Sequence, residues 1–288
     1  MAAQNEVQIH SEDARLAEEA AGRAIEEVAR IEAKYSRYRD DSVVARINSQ
    51  AGGAPVALDA ETRALLAFAD ACFRQSSGAF DATSGVLRRA WRFDGGAVPA
   101  DAELAPLLAL IGWGKVELND AGARLPLAGM ELDFGGFGKE YAVDRAARVL
   151  RDAGLRSAMV NLAGDLAILG PQPGDAPWRV GIRHPRRADA LLATLPVSSG
   201  AIATSGDYER YIEAGGVRHC HVLDPRTGRS ARGFQSVTVH APTCLVAGSA
   251  TTIAMLKGGR DGLAWLDMLG LTHLCVLESG EVVNRFGG

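Results

Sequence analysis

The sequence predicts an α+β fold in which mixed short strands are accompanied by flanking helices, and it predicts one domain over residues 1–288. Long segments with helical spacing dominate the first half of the chain, whereas short alternating or apolar runs between turn residues dominate from Arg156 onward. No internal repeat or low-complexity linker separates the two parts. A chain of 288 residues is long enough to bury the core of one large domain.

The N-terminal segment predicts a strand over Glu6–His10 and then a long amphipathic helix over Ser11–Arg39. Ser11, Glu12 and Asp13 suit the first turn of this helix, because their oxygens can accept from its free N–H groups. The apolar residues of the helix recur three or four positions apart: Leu16, Ala20, Ala24, Val28, Ile31 and Tyr35. Comparable patterns predict further helical segments: Ser42–Asn48, Asp59–Ser76, Pro99–Gly112, Lys139–Ala153, Leu245–Lys257 and Gly262–Met268.

Short apolar or alternating runs predict the strands. Two of them, Lys115–Leu118 and Leu132–Phe134, precede the helix at Lys139. The strands predicted after Arg156 are Ala158–Leu162, Leu166–Leu169, Trp178–His184, Ala193–Val197, Ala201–Ser205, His219–Leu223 and Ser236–His240. A closing hairpin of Leu274–Leu277 and Val282–Arg285 is expected around Ser279-Gly280.

Composition and charge exclude several classes of protein. A hydrophobic content of 47% with 23% charged residues is ordinary for a soluble globular protein. The net charge of −4 provides no basic footprint for nucleic acid. No apolar run approaches the roughly 20 residues of a membrane span. The N-terminus shows no signal peptide, so we expect a cytoplasmic protein, or a periplasmic one if a leader has been removed.

The four cysteines are predicted to be buried free thiols, with a disulfide as the alternative. They make no CxxC pair and have no zinc-finger spacing. They are Cys72, Cys220, Cys244 and Cys275.

The segment Glu131–Asp144 (ELDFGGFGKEYAVD) is a candidate anion site. A predicted strand reaches Asp133, two glycines follow, and a helix starts near Lys139. The N–H groups and the dipole of a helix N-terminus favour a bound phosphate, and the lysine adds a charge. The alternative is an ordinary strand–turn–helix with a solvated lysine.

The segment Ser77–Thr83 (SGAFDAT) combines a flexible glycine with polar Asp81 and Thr83. It is either part of the same site or an ordinary turn in which Asp81 is an N-cap. Trp91 and Phe93 follow closely. These rings could stack on a flat aromatic ligand or pack in the core.

The segment Ala203–Gly228 carries two histidines, His219 and His221, which face the same way if they share a strand. A histidine beside a phosphate site is the natural general base at neutral pH, although one beside a turn is more often structural. Ser205 and Asp207 are polar groups of the same surface or form a cap.

The segment Pro242–Thr252 (PTCLVAGSATT) enters an apolar helix. On its own, it predicts a core helix in which the Thr251 and Thr252 hydroxyls bond back to carbonyls of the same helix. Taken together, these four segments suggest one ligand site, which we expect between two lobes of the domain.

The same segments, in the same order, resemble the ApbE family, the FAD:protein FMN transferases. SRYRDDSVVARIN (36–48) resembles the family's S-x-Y-x-x-x-S-x-x-S-x-x-N. SGAFDAT resembles its GAFDPT, with Ala82 in place of proline, and LDFGGFGKEYAVD resembles LDLGGIAKGYAVD. NLAGD (161–165) resembles NLGGD, and PWRVGIRHP resembles the strand after it. ATSGDYERY, HVLDPRTG and SVTVHAPTC match almost letter for letter, so the resemblance covers nearly the whole chain.

The resemblance implies a T-fold-related domain that binds FAD and moves its FMN half to a Thr or Ser hydroxyl of a target protein, with release of AMP. It implies that the target carries a Thr/Ser flavinylation motif and is a redox subunit. It also implies Mg²⁺ to neutralise the pyrophosphate.

Matching positions carry the family's site residues onto this chain. FAD contacts are implied for Met1, Tyr38, Ala79, Phe80, Asp81, Asp133, Lys139, Val222 and Leu223, with Asn48 near the pyrophosphate. Met1 stands where the family's Met-Gly-Thr begins, so the chain is expected to start at the catalytic domain. His221 is the implied catalytic base, or the group that aids departure of AMP. The implied metal ligands are the backbone oxygen near Gly136 and the Thr252 hydroxyl.

One departure concerns the metal. Gly248 stands where the family motif A-D-A-L-A-T has its aspartate, so we expect weaker Mg²⁺ binding unless another oxygen compensates. Ser249, Asp207, Asp133 and the FAD phosphates are candidates. Glu140 stands where glycine is usual, and it either supplies a replacement carboxylate or, as we expect, pairs with an arginine.

Two alternative functions stay open, the first of them because of Gly248. The protein could bind FAD without transferring FMN. It could also be a metal-dependent FAD pyrophosphatase, in which water replaces the protein hydroxyl and free FMN and AMP are formed.

Overall fold

The computed structural model describes residues 5–286, which include seven α-helices. Met1, for which the resemblance implies an FAD contact, lies outside the described residues. The helices are α1 Ala14–Tyr35, α2 Val43–Ser49, α3 Ala60–Gln75, α4 Asp101–Leu108, α5 Gly138–Asp152, α6 Cys244–Lys257 and α7 Gly259–Leu269.

Thirteen strands lie within the same described range. They are β1 Asn5–His10, β2 Glu117–Asn119, β3 Gly122–Arg124, β4 Ser157–Leu162, β5 Asp165–Ile168, β6 Trp178–His184, β7 Arg187–Val197, β8 Gly200–Gly206, β9 Tyr211–Ala214, β10 Val217–Cys220, β11 Phe234–Ala241, β12 Thr272–Leu277 and β13 Val282–Asn284.

One antiparallel sheet of seven strands organises the described chain, in the order β1-β4-β5-β8-β11-β12-β13. Three antiparallel ribbons, β2–β3, β6–β7 and β9–β10, lie outside it. Helices α5 and α6 pack on the central sheet and on each other, and α1 packs on α5. The predicted α+β class is confirmed.

Side-chain caps set the starts of several helices. Asp13 Oδ1 accepts from the backbone N–H of Leu16 at 3.0 Å, so α1 begins at Ala14 rather than at Ser11. Ser42 and Asp59 cap α2 and α3 in the same way. The apolar face predicted for α1 is real, since Ala20, Ala24, Ile31 and Tyr35 are buried.

Two predicted strands are corrected. Leu132–Phe134 forms no strand, because the Asn48 side chain takes the place of a strand partner: its amide donates to Leu132 O at 2.9 Å and its carbonyl accepts from Leu132 N at 2.7 Å. The strand predicted over His219–Leu223 ends at Cys220, so His219 and His221 do not share one strand. The short strands β3 and β9 were not predicted.

The four cysteines are free and buried, as predicted. Within residues 5–286, no helix is both long enough and apolar enough to cross a membrane.

A carboxylate of α5 caps the start of α6. Asp144 Oδ1 accepts from Cys244 N at 2.7 Å, and Oδ2 accepts from Leu245 N at 2.8 Å. The first turn of α6 has no acidic residue of its own. Asp144 therefore fixes the relative position of the two helices that carry the candidate site.

Replacing Asp144 with alanine should lower the free energy of unfolding by about 1–2 kcal/mol, because two N–H groups at the start of α6 lose their acceptor. Urea denaturation measures the change. Asp152→Ala is the matched control on α5: its ion pair with Arg148 is solvent-exposed, so its loss should cost less than about 0.5 kcal/mol. Equal losses in the two variants would contradict the capping role.

Candidate functional site

The segments around residues 80 and 136 are joined in the structure. Asp133 N donates to Ala82 O at 2.8 Å. The Phe80 ring lies 6.1 Å from that of Phe137 and directly against Gly136, where an added Cβ would come within 3.0 Å of it. A side chain at position 136 would therefore press on the Phe80 ring, which would have to shift by a few tenths of an ångström.

Asp81 organises the turn of the first segment. Its Oδ1 accepts from the backbone N–H and the hydroxyl of Thr83, at 2.8 and 2.6 Å. Its Oδ2 accepts from Trp113 N at 2.9 Å. Asp81 is thus a cap for a turn and a link to Trp113, which supports the structural alternative. Ala79 and Phe80, beside it, are buried.

Asp133, Arg37 and Tyr38 form a connected polar group at the protein surface. Arg37 forms an ion pair with Asp133, and its Nη2 donates to the Tyr38 hydroxyl at 2.8 Å. The guanidinium also lies 4.9 Å from the centre of the Tyr38 ring, which is 77% exposed. The other Asp133 oxygen accepts from Gly135 N at 2.8 Å. Arg37 was missed by the sequence analysis, although it lies between two residues of the SRY motif.

Asn48 lies beside this group but is committed to the backbone. Both ends of its amide are bonded to Leu132, the residue before Asp133. The structure therefore gives Asn48 a direct part in holding the Asp133 segment, and its proximity to a pyrophosphate stays a prediction.

Lys139 lies in the first turn of α5, as predicted, and forms an ion pair with Asp165 at the start of β5. Asp165 is only 3% exposed, and its Oδ1 also accepts from Thr204 N at 3.2 Å. Burial disfavours the ammonium, but Asp165 and Glu140 outweigh it and raise the pKa of Lys139. Lys139 is therefore a positive charge at a helix N-terminus throughout the neutral pH range.

Asp165 was not predicted as a site residue. The sequence feature that could have identified it is an acidic residue at the first position of an apolar strand, directly after the Ala163-Gly164 turn of NLAGD. A buried acid at such a position requires a partner. Its partner lies 26 positions earlier in the chain, so spacing could not identify it.

Glu140 is a buried carboxyl group beside this ion pair. It is 7% exposed, and its Oε2 has no hydrogen-bond partner among the described residues. Burial and the negative charge of Asp165 raise its pKa to about 8, against the opposing charge of Lys139. No ion pair joins it to an arginine within residues 5–286. The arginine pairing expected for Glu140 is therefore wrong.

The two threonines of α6 differ in their bonding. Thr251 Oγ1 donates to Gly248 O at 2.8 Å, as the structural alternative predicts. Thr252 Oγ1 instead lies 3.5 Å from Ser205 Oγ, which is also 2.8 Å from Thr251 Oγ1. Ser205 therefore joins β8 to the threonine pair.

The remaining candidate oxygens for a metal are engaged elsewhere. Asp207 forms two 2.6 Å bonds with Arg186, and Ser249 Oγ donates to Leu245 O at 2.6 Å. No group of three or more His, Cys, Asp or Glu side chains in the described part of the chain is arranged to hold a metal ion.

His221 follows β10 in a position fixed by its backbone, which donates to Arg210 O at 3.1 Å. Its ring is almost perpendicular to the Phe93 ring, and the centres of the two rings lie 6.5 Å apart. The Nδ1 atom is buried without a hydrogen-bond partner among residues 5–286. Burial, together with the charges of Arg210 and Lys139, lowers the pKa of His221 to about 4, so the ring is neutral at pH 7.

Val222 and Leu223 continue from His221 and are partly buried. Val222 O accepts from Ala231 N at 2.8 Å, and Leu223 bridges to Ser230. Trp91 is a core residue: it is buried, and its indole donates to Gly228 O at 2.7 Å. Its ring is stacked on that of Phe93, with the two ring centres 5.5 Å apart, which confirms core packing for Trp91.

The antiparallel α+β scaffold carries a charged helix N-terminus, a neutral histidine and a row of hydroxyls. These features are typical of a protein that binds an anionic ligand. The sequence matches the family model of the ApbE family over residues 1–275. The chain belongs to the ApbE family.

Several proteins of known name or structure are similar to this chain. The FAD:protein FMN transferase of Treponema pallidum is 35% identical over 250 residues, which are 80% of this chain and 69% of that protein. The crystal structure of the ApbE protein of Thermotoga maritima has a TM-score of 0.88 at 33% identity and covers 98% of this chain and 96% of that one. The apo flavinyl transferase ApbE of Pseudomonas stutzeri has a TM-score of 0.87 at 27% identity, with 100% and 99% coverage.

The His221 ring should stay neutral between pH 8 and pH 5, because its lowered pKa of about 4 lies below this range. Histidine ring resonances followed by NMR measure this, and the spectrum of His221→Asn assigns the signal. A titration midpoint near the ordinary value of 6.5 would contradict the burial of this ring in a positive environment.

Proposed function

We propose that this protein is an FAD:protein FMN transferase, which moves the FMN moiety of FAD to a Thr or Ser hydroxyl of a target protein and releases AMP. The observation that carries the proposal is the combination of Lys139 at the start of α5 with a neutral His221 whose Nδ1 has no hydrogen-bond partner within residues 5–286. The charge of Lys139 is one of the smaller causes of the lowered pKa of His221, and we propose that both groups serve one site. The names of the similar proteins support the same activity.

The FAD site proposed here extends along the joined segments. The α5 N-terminus and Lys139 would bind the pyrophosphate. The exposed ring of Tyr38 offers a flat surface to an aromatic group of FAD. The other FAD-binding residues we propose are Asn48, Ala79, Phe80, Asp81, Asp133, Val222 and Leu223. Several of these are buried or bonded within the protein, so their main contribution would be to the shape and rigidity of the site.

The reaction is a phosphoryl-type transfer. The target hydroxyl oxygen attacks the phosphorus on the riboflavin side, a new phosphorus–oxygen bond forms, and the bond to the bridging oxygen breaks. That oxygen leaves with AMP. His221 would accept the hydroxyl proton at a ring nitrogen, or aid the departure of AMP. Lys139 would compensate the negative charge that develops on the pyrophosphate.

The residues present also fit a divalent cation, because Glu140 has a buried carboxyl oxygen with no partner within residues 5–286, and a threonine hydroxyl of α6 lies one turn from the glycine against which Glu140 packs. We propose that the Gly136 carbonyl and the Thr252 hydroxyl would hold Mg²⁺. When bound, such an ion would neutralise pyrophosphate charge.

The target protein we propose is a redox subunit that carries a Thr or Ser flavinylation motif. Its hydroxyl must reach His221, which lies just after the separate ribbon β9–β10. The compartment in which the two proteins meet stays a prediction.

Incubation with FAD, Mg²⁺ and a Thr-containing target peptide should give AMP and flavinylated peptide in equal amounts. Chromatography with mass spectrometry measures AMP, free FMN and labelled peptide together. AMP with only free FMN would identify an FAD pyrophosphatase instead. FAD that is bound but stays intact under every divalent metal would identify a binding protein without transferase activity.

Replacing His221 with asparagine should lower kcat by about 10²–10⁴-fold, the usual contribution of a general base, while FAD affinity changes little. Stopped-flow transfer assays and FAD fluorescence titrations separate the two effects. His219→Asn is the matched control, because His219 packs on Trp91 at 6.0 Å and has no part in the proposed chemistry. Equal losses of transfer in both variants would argue against His221 as the base.

A further inference from the structure

The carboxyl group of Glu140 is buried with one oxygen unpaired. Its Oε2 finds no donor among residues 5–286, and the residue is 7% exposed. An unpaired buried polar atom is costly to keep unless a ligand satisfies it. The neighbouring Lys139 does not do so, because its ammonium is bonded to Asp165.

Glu140 occupies the space that a side chain at position 248 would need. A Cβ added to Gly248 would lie 3.0 Å from both Cδ and Oε1 of Glu140, and closer still to its Cγ. Glycine is therefore required at position 248 while Glu140 adopts this conformation. The space between positions 140 and 248, on the adjacent helices α5 and α6, therefore holds only one acidic side chain.

This packing places the carboxylate on the hydroxyl-bearing face of α6. Gly248 and Thr252 are four residues apart in the helix, so they lie on one face, one turn apart. Ser205 Oγ lies 3.5 Å from Thr252 Oγ1 on the same side. Glu140 itself follows the Gly136 turn by four residues. The carboxyl group therefore packs beside the face of α6 that carries the threonine hydroxyl, and its own helix begins just after the turn at Gly136.

The other acids near this region are already engaged. Asp165 bonds to Lys139 and Thr204 N. Asp133 bonds to Arg37 and Gly135 N, and Asp207 bonds to Arg186. Of the carboxylates assembled here, Glu140 has the oxygen that remains available to a cation.

We propose that Glu140 supplies the metal-binding carboxylate of this protein, with Gly248 as the space that admits it. The cation is a hard divalent ion such as Mg²⁺, held by Glu140, by Thr252 and by phosphate oxygens of the ligand. The carboxylate has thus moved from α6, where the ApbE motif places an aspartate, to the adjacent turn of α5. This inference rests on the proposed function for the identity of the phosphate ligand.

Binding of Mn²⁺ as a probe tests the assignment directly. Free Mn²⁺ is titrated by electron paramagnetic resonance with and without FAD, and FAD binding is measured separately by its fluorescence. Glu140→Gln should weaken Mn²⁺ binding by about tenfold or more, while FAD affinity without metal stays close to that of the unaltered protein. Asp152→Asn, an exposed acid of the same helix, is the control and should leave Mn²⁺ affinity unchanged.

A second variant distinguishes the loss of a metal ligand from a loss of folded structure. Glu140→Gly combined with Gly248→Asp moves the carboxylate back to α6 and should recover most of the lost Mn²⁺ affinity. Gly248→Asp alone should lower the melting temperature, because its side chain meets that of Glu140. Recovery in the double variant supports an exchange of one carboxylate between the two helices.

Each result separates this assignment from the proposed function. FAD binding with a Mn²⁺ affinity that Glu140→Gln leaves unchanged would overturn the role of Glu140 alone. Mn²⁺ binding that depends on Glu140 in a protein that does not bind FAD would contradict the proposed function and support the metal assignment. A protein that binds neither Mn²⁺ nor FAD would overturn both.

Discussion

The ion pair between Lys139 and Asp165 is the interaction on which the candidate site depends. It joins the first turn of α5 to the start of β5, and Asp165 also accepts from Thr204 N on β8. Removing either partner would leave an uncompensated charge in a buried place, which costs much more than the pair itself contributes. The pair therefore holds the helix N-terminus at the sheet, where it can act as an anion site.

This arrangement also sets the protonation of its neighbours. Burial and Asp165 raise the pKa of Glu140 to about 8, while burial, Arg210 and Lys139 lower the pKa of His221 to about 4. The result is a neutral His221 ring and, at Glu140, a carboxyl group that gains from a bound cation. The charge of Lys139, whose side chain is 31% exposed, contributes to both pKa values.

The sequence predicted what depends on local patterns. Periodicity and caps located the helices to within a few residues, because Asp13, Ser42 and Asp59 bond to N–H groups only three positions away. The resemblance to ApbE identified the family and the segments that meet. Prediction failed where the deciding partner is distant in the chain. A strand at Leu132 was predicted, but Asn48 pairs with its backbone, 84 residues away. Glu140 was expected to pair with an arginine, but its place is decided by Gly248 on another helix.

The most direct test of this account is the crystal structure of the protein grown with FAD and Mn²⁺, with data collected at the manganese absorption edge. We expect one anomalous peak about 2 Å from an oxygen of Glu140 and from the FAD pyrophosphate, with Lys139 beside the same phosphates. A manganese ion bound to the pyrophosphate but remote from Glu140, or FAD bound away from the α5 N-terminus, would contradict the account.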